Sequence, residues 1–105
     1  MGRLPSSITL ITGATGFIGG ACAIEAMKSG RIGDLLFLVR AKTPEEGLMR
    51  MIESLRRFEP SPAQLEQLSV QQIILGDLAD VAAFTDDVRL NRVTHVMNCA
   101  AVASF

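Results

Sequence analysis

Short apolar runs alternate with amphipathic segments along the chain. Four runs have the composition of buried strands and lie at 8–11, 35–39, 70–75 and 94–99. The second of these, LLFLV, is continuously apolar, which is typical of a parallel strand covered on both faces. Between the runs, apolar residues recur at helical spacing. This alternation predicts strands that are each followed by a helical segment.

Two of the predicted helices have clear boundary signals. The first is expected over 17–29, where Gly30 would end it, as glycine commonly does. The second begins at the TPEE motif, in which Thr43 can cap the helix and Glu46 can complete a capping box. This second helix is expected to reach about Phe58, with Leu48, Met51, Ile52 and Leu55 facing inward.

The remaining segments complete an alternating pattern. A short helix is expected to start at Ser61 and run through Leu68, and a weakly helical stretch is expected at 81–88. Strands that alternate with helices form right-handed βαβ units and a parallel sheet. The expected fold is therefore an α/β, Rossmann-type doubly wound parallel sheet, with the strand order 3-2-1-4 in this portion.

The composition narrows the class of function. The 105 residues suggest one domain, 49% of them are hydrophobic, the formal net charge is -1, and no basic cluster accompanies an aromatic one. Nucleic-acid binding therefore has no electrostatic support. No apolar segment is long enough for a signal sequence or a membrane span, so the chain is expected to be cytoplasmic. Cys22 and Cys99 have no metal-like spacing and are interpreted as free thiols, and no metal site is predicted.

The stretch TLITGATGFIGG, residues 9–20, places three glycines after the first strand. Gly13 would allow a tight turn, Gly16 would let the backbone approach a pyrophosphate, and Gly19 would let the helix pack closely on the strand. Backbone N–H groups and the helix dipole would then face the phosphates. Because a strand precedes this turn and a helix follows it, a dinucleotide site is favoured over a purely structural turn.

The end of the second strand indicates which dinucleotide would bind. NAD sites usually carry a carboxylate about 20 residues beyond the glycines, which holds the ribose 2′-hydroxyl. This chain has Arg40 and Lys42 there and no acid. A guanidinium can hold a 2′-phosphate with two parallel bonds, so NADP is favoured over NAD. Arg50, on the following helix, could reach the same phosphate or lie on an exposed helix face, and Lys42 could equally be solvated.

Two further segments lie at the carboxyl edge of the predicted sheet. Asp77 and Leu78 follow the third strand where an adenine would rest, although Asp77 could instead cap the next segment. Ala100 and Ala101 close the fourth strand with small side chains, which would leave space for the ribose and diphosphate of a cofactor. Tight packing would explain the same alanines, and both interpretations can hold.

Several segments together resemble a known family. TGATGFIGG, LVRAKTPEEGLMRMIESLRR, GDL and VMNCAAVASF resemble the extended short-chain dehydrogenase/reductases, and more narrowly their thioester-reductase or male-sterility branch. That branch includes fatty acyl-CoA reductases, carboxylic acid reductases and the terminal reductase domains of nonribosomal peptide synthetases. The resemblance covers nearly the whole chain, and the LVRAK segment with its helix is more specific than the glycine turn.

The resemblance implies a set of cofactor contacts. The NADP pyrophosphate would be bound by the glycine turn, through Gly13, Thr15, Gly16, Phe17, Ile18 and Gly19. The 2′-phosphate would contact Arg40 and Arg50, the adenine would lie by Asp77 and Leu78, and the ribose would lie by Ala100 and Ala101.

The catalytic part of the family pattern is missing from the sequence. The resemblance implies a Ser or Thr and a Tyr-x-x-x-Lys pair beyond the fourth strand, but this chain ends at Phe105 and has no tyrosine. Residues 1–105 are therefore interpreted as the N-terminal, NADP-binding fragment of a reductase, inactive by itself and with no catalytic residue assigned. The parent enzyme would reduce a thioester, an aldehyde or a related carbonyl by hydride transfer from NADPH.

Two other interpretations stay open. The chain could come from another extended short-chain reductase or a nucleotide-sugar epimerase, although the LVRAKTPEEG segment argues against this, or it could be a non-catalytic NADP-binding module. The substrate is not identifiable from these residues. The fourth strand would have an open edge in a 3-2-1-4 sheet, so the fragment is expected to self-associate through it.

Overall fold

The computed structural model describes residues 7–77 and 84–99, together with residues 80 and 82. The strands are β1 (Thr9–Thr12), β2 (Leu35–Val39), β3 (Ile73–Leu75) and β4 (His95–Asn98). The helices are α1 (Phe17–Lys28), α2 (Pro44–Leu55) and α3 (Pro62–Leu65). None of these helices is both long and apolar enough to cross a membrane.

The strands form one parallel sheet with β1 in an inner position. Their order is β3-β2-β1-β4, which confirms the predicted topology of a doubly wound α/β fold. Strand β1 pairs with β2 from Thr9↔Leu35 onward and with β4 from Thr9↔His95 to Thr12↔Asn98. A crossover from β3 to the far side of β1 therefore separates β4 from the first three strands.

One face of the sheet packs against the helices. Ile11, Phe37 and Ile73 point to this face from three neighbouring strands, and each is at most 1% exposed. Met51 and Leu55 of α2 cover them and are themselves fully buried. This confirms the predicted inward face of the second helix. Alternate residues of the strands face the other way, since successive side chains in a strand point to opposite sides.

The opposite face is covered by a segment that is largely irregular. Leu10, Leu38 and Ile74 lie beneath Phe84 there, and Leu90 packs beside them. The predicted weakly helical stretch at 81–88 is wrong as one continuous helix: residue 82 is in a 3-10 conformation, residues 84–86 form a turn, and a 3-10 helix follows at Val88–Arg92.

Helix α1 ends in a glycine cap, as the sequence predicts. Gly30 has φ of 74°, and its N–H donates to the Met27 carbonyl at 3.4 Å. The Arg31 N–H donates to the Ala26 carbonyl at 2.8 Å. These bonds form a Schellman motif, in which a left-handed glycine lets the last helical carbonyls find donors. The prediction that Gly30 ends this helix is confirmed.

The start of α2 differs from the prediction in one half of its cap. The Thr43 hydroxyl accepts from the Glu46 N–H at 3.1 Å, as expected. The Glu46 carboxylate does not return to Thr43; its Oε2 accepts from the Lys42 N–H at 3.4 Å. Its Oε1 instead accepts a hydrogen bond from Nη2 of Arg50, one helical turn further along, at 3.3 Å. The carboxylate is shared between a loop and a helix neighbour, which a local motif does not reveal.

The third strand is shorter than predicted because its first half forms a 3-10 turn. Ser69 caps this turn at Val70–Gln72 by accepting from the Gln71 N–H. The buried Gln72 amide then donates to the carbonyls of Ile32 and Leu35, at 2.6 and 3.1 Å. Strand β3 begins only after Gln72. The short helix after Ser61 also ends early, at Leu65 rather than Leu68, although Ser61 forms the expected cap.

An ion pair holds the segment on the second face of the sheet. Arg89 donates from Nε and Nη2 to the two carboxylate oxygens of Asp87, at 2.9 and 2.6 Å. Its Nη1 also donates to the Gln71 carbonyl at 2.7 Å, just before β3. The hydrogen bond from Arg89 lowers the pKa of Asp87, and the same bond raises the pKa of Arg89.

Replacing Asp87 with asparagine is expected to lower the free energy of unfolding at neutral pH by about 1 kcal/mol, because charge-assisted bonds become neutral ones. The folded pKa of Asp87 lies below the unfolded one. Its contribution is therefore complete above the unfolded pKa and is lost as the pH falls through the folded pKa. Urea unfolding of the wild-type chain and of Asp87→Asn at a series of pH values measures the difference in the free energy of unfolding.

The matched control is Asp86→Asn, which changes the exposed neighbouring carboxylate. It is expected to leave the free energy of unfolding almost unchanged. An Asp87→Asn difference that persists unchanged into strong acid would contradict the assignment of the effect to the ionised pair.

Candidate functional site

The turn between β1 and α1 presents backbone rather than side chains. Gly13 has φ of 69°, in the left-handed region that favours glycine. The Gly16 N–H donates back to the Gly13 carbonyl at 3.0 Å and closes the turn. Gly16 is also the N-cap of α1, and no side chain caps the helix there. The first turn of α1 carries no acidic residue, so no carboxylate offsets the positive end of its dipole.

Gly19 marks the closest approach between α1 and the turn. A Cβ at this position would lie 2.5 Å from the Gly13 carbonyl oxygen and 2.8 Å from Cα of Ala14. A Cβ at Gly16 would meet only the Gly13 oxygen, at 3.3 Å. Close packing of helix on turn thus requires glycine at Gly19, whereas Gly16 is exposed and open on its solvent side.

The exposed rim of the turn consists of Thr15 to Ile18. The first backbone bond inside the helix runs from the Gly20 N–H to the Gly16 carbonyl at 2.9 Å. The three N–H groups before it, from Phe17 to Gly19, lie at the helix end where an anion would be held. This backbone is the part of the site that can bind a phosphate without any charged side chain.

The side chain of Phe17 is held by the 3-10 turn Arg56–Phe58, which directly follows α2. Its ring lies 5.3 Å from the Phe58 ring, centroid to centroid, and the guanidinium carbon of Arg57 lies 5.9 Å from its centroid. Phe17 is nonetheless 64% exposed. What it offers to a ligand is therefore its backbone N–H and one open face of the ring.

A cluster of cations follows β2 and forms the second part of the candidate site. Arg40, Ala41 and Lys42 line a shallow pocket of about 330 Å³ together with Glu46 and Arg50 of α2. The two arginines predicted to contact one phosphate are therefore brought to the same pocket. Lys42 lies there too, so three cations face one carboxylate within the pocket lining.

Each of these arginines is paired with a carboxylate. Arg40 lies 3.5 Å from Asp77, and its side chain is 79% exposed. Arg50 lies 3.3 Å from Glu46 in an i,i+4 pair. Exposed pairs of this kind contribute about 0–1 kcal/mol. A ligand anion could take their place at low cost.

The approach of Asp77 to Arg40 is a feature that the sequence reasoning missed. Strands β2 and β3 are neighbours, and the Gly76 N–H donates to the Val39 carbonyl at 3.1 Å. Arg40 directly follows Val39 and Asp77 directly follows Gly76, so their side chains meet at the same edge of the sheet. The predicted strand order could have revealed this pair, because it placed the ends of the second and third strands side by side.

The ends of β1 and β4 are also tied by a side-chain bond. The Thr12 hydroxyl, only 1% exposed, donates to Oδ1 of Asn98 at 2.8 Å. This bond lies at the point where the strand order reverses, and the sequence reasoning did not identify it. Leu78, Ala100 and Ala101, three of the predicted cofactor contacts, lie outside the described residues.

Comparisons with known proteins give the family of the chain and support its fold. A family model described as male sterility protein matches residues 11–105. The terminal R domain from the myxalamid PKS-NRPS biosynthetic pathway is similar in structure, with a TM-score of 0.70 and 24% identity over 94% of this chain. Glucose-6-phosphate 1-dehydrogenase from Mycobacterium avium is similar with a TM-score of 0.53 and 17% identity over 74% of this chain.

These two structures support the fold alone at such identities. This chain covers 26% of the R domain and 19% of the dehydrogenase chain, so it spans about a quarter or less of either. No curated protein sequence matches it.

Replacing Gly19 with alanine is expected to lower the free energy of unfolding by about 1–3 kcal/mol, the usual cost of overpacking. The new methyl group would meet backbone atoms of Gly13 and Ala14, which cannot swing away as a side chain could. Chemical denaturation measures the change.

Gly33→Ala is the matched control, because nothing lies within 4 Å of a Cβ at that position and its φ is not positive. This variant is expected to be neutral or slightly stabilised. Equal free energies of unfolding for the two variants would show that the contact at Gly19 does not constrain the turn.

Proposed function

The chain belongs to the male sterility protein family, and on that premise we propose that it binds NADP(H) as part of a reductase. Its family makes it an NAD(P)-binding domain of an oxidoreductase. The proposed substrate class is a thioester, an aldehyde or a related carbonyl. When bound, the nicotinamide of such a cofactor supplies the hydride, and the protein supplies binding and orientation.

The glycine turn supports the pyrophosphate part of the proposal. Its exposed backbone, its open solvent side at Gly16 and the lack of an acid in the first turn of α1 suit a dianionic group. The residues that would hold the pyrophosphate are Gly13, Thr15, Gly16, Phe17, Ile18 and Gly19.

The meeting of Arg40 and Arg50 in one pocket is the observation that carries the choice of NADP over NAD. A 2′-phosphate would replace Asp77 and Glu46 as the partner of the two guanidinium groups. Phosphate carries more charge than a carboxylate and accepts bidentate bonds from arginine. NADH offers only a neutral 2′-hydroxyl there, so it would leave the existing ion pairs in place.

The other assignments rest on the family. Asp77 and Leu78 are proposed to lie by the adenine, and Ala100 and Ala101 by the ribose. The 105 residues contain no tyrosine, so the Tyr-x-x-x-Lys pair implied by the family resemblance is not among them. We therefore assign no catalytic residue and propose that these residues alone bind cofactor without turning over substrate.

Replacing Arg40 with alanine is expected to weaken NADPH binding by about 10- to 150-fold, because a charge-assisted bond is worth about 1.5–3 kcal/mol. NADH binding should change little, since it lacks the phosphate. Titration calorimetry with both cofactors measures the two effects.

Arg56→Ala is the matched control for this measurement. It also removes an exposed arginine from an ion pair, 3.1 Å from Glu53, but lies outside the pocket. It is expected to leave both affinities unchanged. Equal losses for NADPH and NADH in Arg40→Ala would overturn the assignment of the 2′-phosphate to this pocket.

We also propose that the isolated chain self-associates through β4 as a two-fold dimer. Among the described residues, β4 pairs only with β1, and its Val96 and Met97 are 64% and 45% exposed. An open apolar edge strand favours pairing with a second chain.

Light scattering over a concentration series tests this association. Met97→Asp is expected to shift the chain toward the monomer, because a charge would enter the paired edge. Met49→Asp is the control, since Met49 is 67% exposed on α2, away from β4. A wild-type chain that stays monomeric at the highest concentration, or an equal effect of both variants, would refute the proposal.

A further inference from the structure

Three sulfur atoms meet between α1 and β4, in a sulfur cluster formed by Cys22, Met97 and Cys99. The Cys22 thiol donates to Sδ of Met97 across 3.6 Å. Cys99 follows Met97 by two residues, and its N–H donates to the Thr12 carbonyl at 2.8 Å, which continues the pairing of β4 with β1. Residues i and i+2 of an extended strand share a face. Cys99 therefore lies on the same side of the sheet as Met97, toward α1.

The packing supports this placement of Cys99. It is 6% exposed and belongs to the core cluster that includes Ala23 and Ala26 of α1, and Cys22 packs against the same cluster. The pKa of Cys99 is raised, first by burial and then by its interaction with Cys22. Two cysteines that are 77 positions apart in the sequence are thus neighbours in the fold, and both are free thiols.

The two thiols differ in their access to solvent. Cys22 is partly exposed and lines an open groove of about 360 Å³ that also contains Glu25 and Met97. Cys99 is buried and does not line this groove. An oxidant arriving from solution therefore meets Cys22 first, while Cys99 is placed to attack the oxidised sulfur.

We propose that Cys22 and Cys99 form an intramolecular disulfide when the chain encounters hydrogen peroxide. The Cys22 thiolate attacks the peroxide, so that an S–O bond forms, the O–O bond breaks and water leaves. The Cys99 thiol then loses its proton and attacks the Cys22 sulfur, so that the S–S bond forms and the S–O bond breaks, and the departing hydroxide takes up that proton and leaves as water. Overall the two thiols are oxidised and the peroxide is reduced to water, with no further reactant.

This crosslink would fasten α1 to the end of β4. Helix α1 begins at the glycine turn, and β4 ends beside the Thr12–Asn98 bond at the reversal of the strand order. The oxidised chain would therefore hold the two elements that flank the candidate cofactor site at a fixed separation. Formation of the disulfide itself does not depend on the proposed cofactor binding.

Peroxide oxidation of the reduced chain tests the proposal without any variant. Under denaturing conditions the expected product is a single chain, not crosslinked to another, that is about 2 Da lighter, because two hydrogens leave when a disulfide forms. After tryptic digestion without reductant, the peptides 4–28 and 93–105 are expected to stay joined. The urea midpoint of unfolding is expected to rise on oxidation and to return when a reductant is added.

Variants identify which sulfur atoms form the disulfide. Cys22→Ser and Cys99→Ser are each expected to abolish the mass loss, whereas Met97→Leu is expected to retain it, because Met97 contributes no bond to the crosslink. Oxidation that stops at oxygen adducts of Cys22, that yields only Met97 sulfoxide, or that links separate chains would overturn the proposal.

Discussion

The architecture of the site depends on the contact between the first turn of α1 and the carbonyl of Gly13. Strand β1 lies between β2 and β4 in the sheet, and the chain leaves it at the carboxyl edge. It turns into α1 within four residues, and the helix packs back on the turn at Gly19, where a Cβ would come within 2.5 Å of that carbonyl. This close return aims the helix N-terminus at the sheet edge, where the other candidate contacts gather.

The charged part of the site is held loosely, which suits a ligand that arrives with its own charge. Arg40 and Arg50 sit in exposed pairs with Asp77 and Glu46, at 3.5 and 3.3 Å. Such pairs contribute little stability, about 0–1 kcal/mol. The rigid core lies elsewhere, in fully buried residues such as Phe37 on one face and Ile74 on the other. The buried core therefore positions two arginines whose carboxylate partners a bound anion could replace.

Local patterns predicted the parts of the fold that local physics determines. The continuous run LLFLV gave β2 its bounds, Thr43 capped α2, and the alternation of strands and helices predicted the sheet order. Some of the errors arose where contacts between residues far apart in the sequence determine the structure. Strand β3 is shortened by Gln72, whose amide bonds to carbonyls 37 and 40 positions earlier, and the Arg40–Asp77 pair and the sulfur cluster likewise join residues far apart in the sequence.

A titration of the isotope-labelled chain with NADPH, followed by two-dimensional NMR of the backbone amides, tests the central claim most directly. The account predicts shifts concentrated at Gly13 to Gly19 and around Arg40 and Arg50. With NADH, the shifts at the glycine turn should remain while those around the two arginines largely vanish. Shifts that cluster instead at Val88–Arg92, or a glycine turn that does not respond to NADPH, would contradict it.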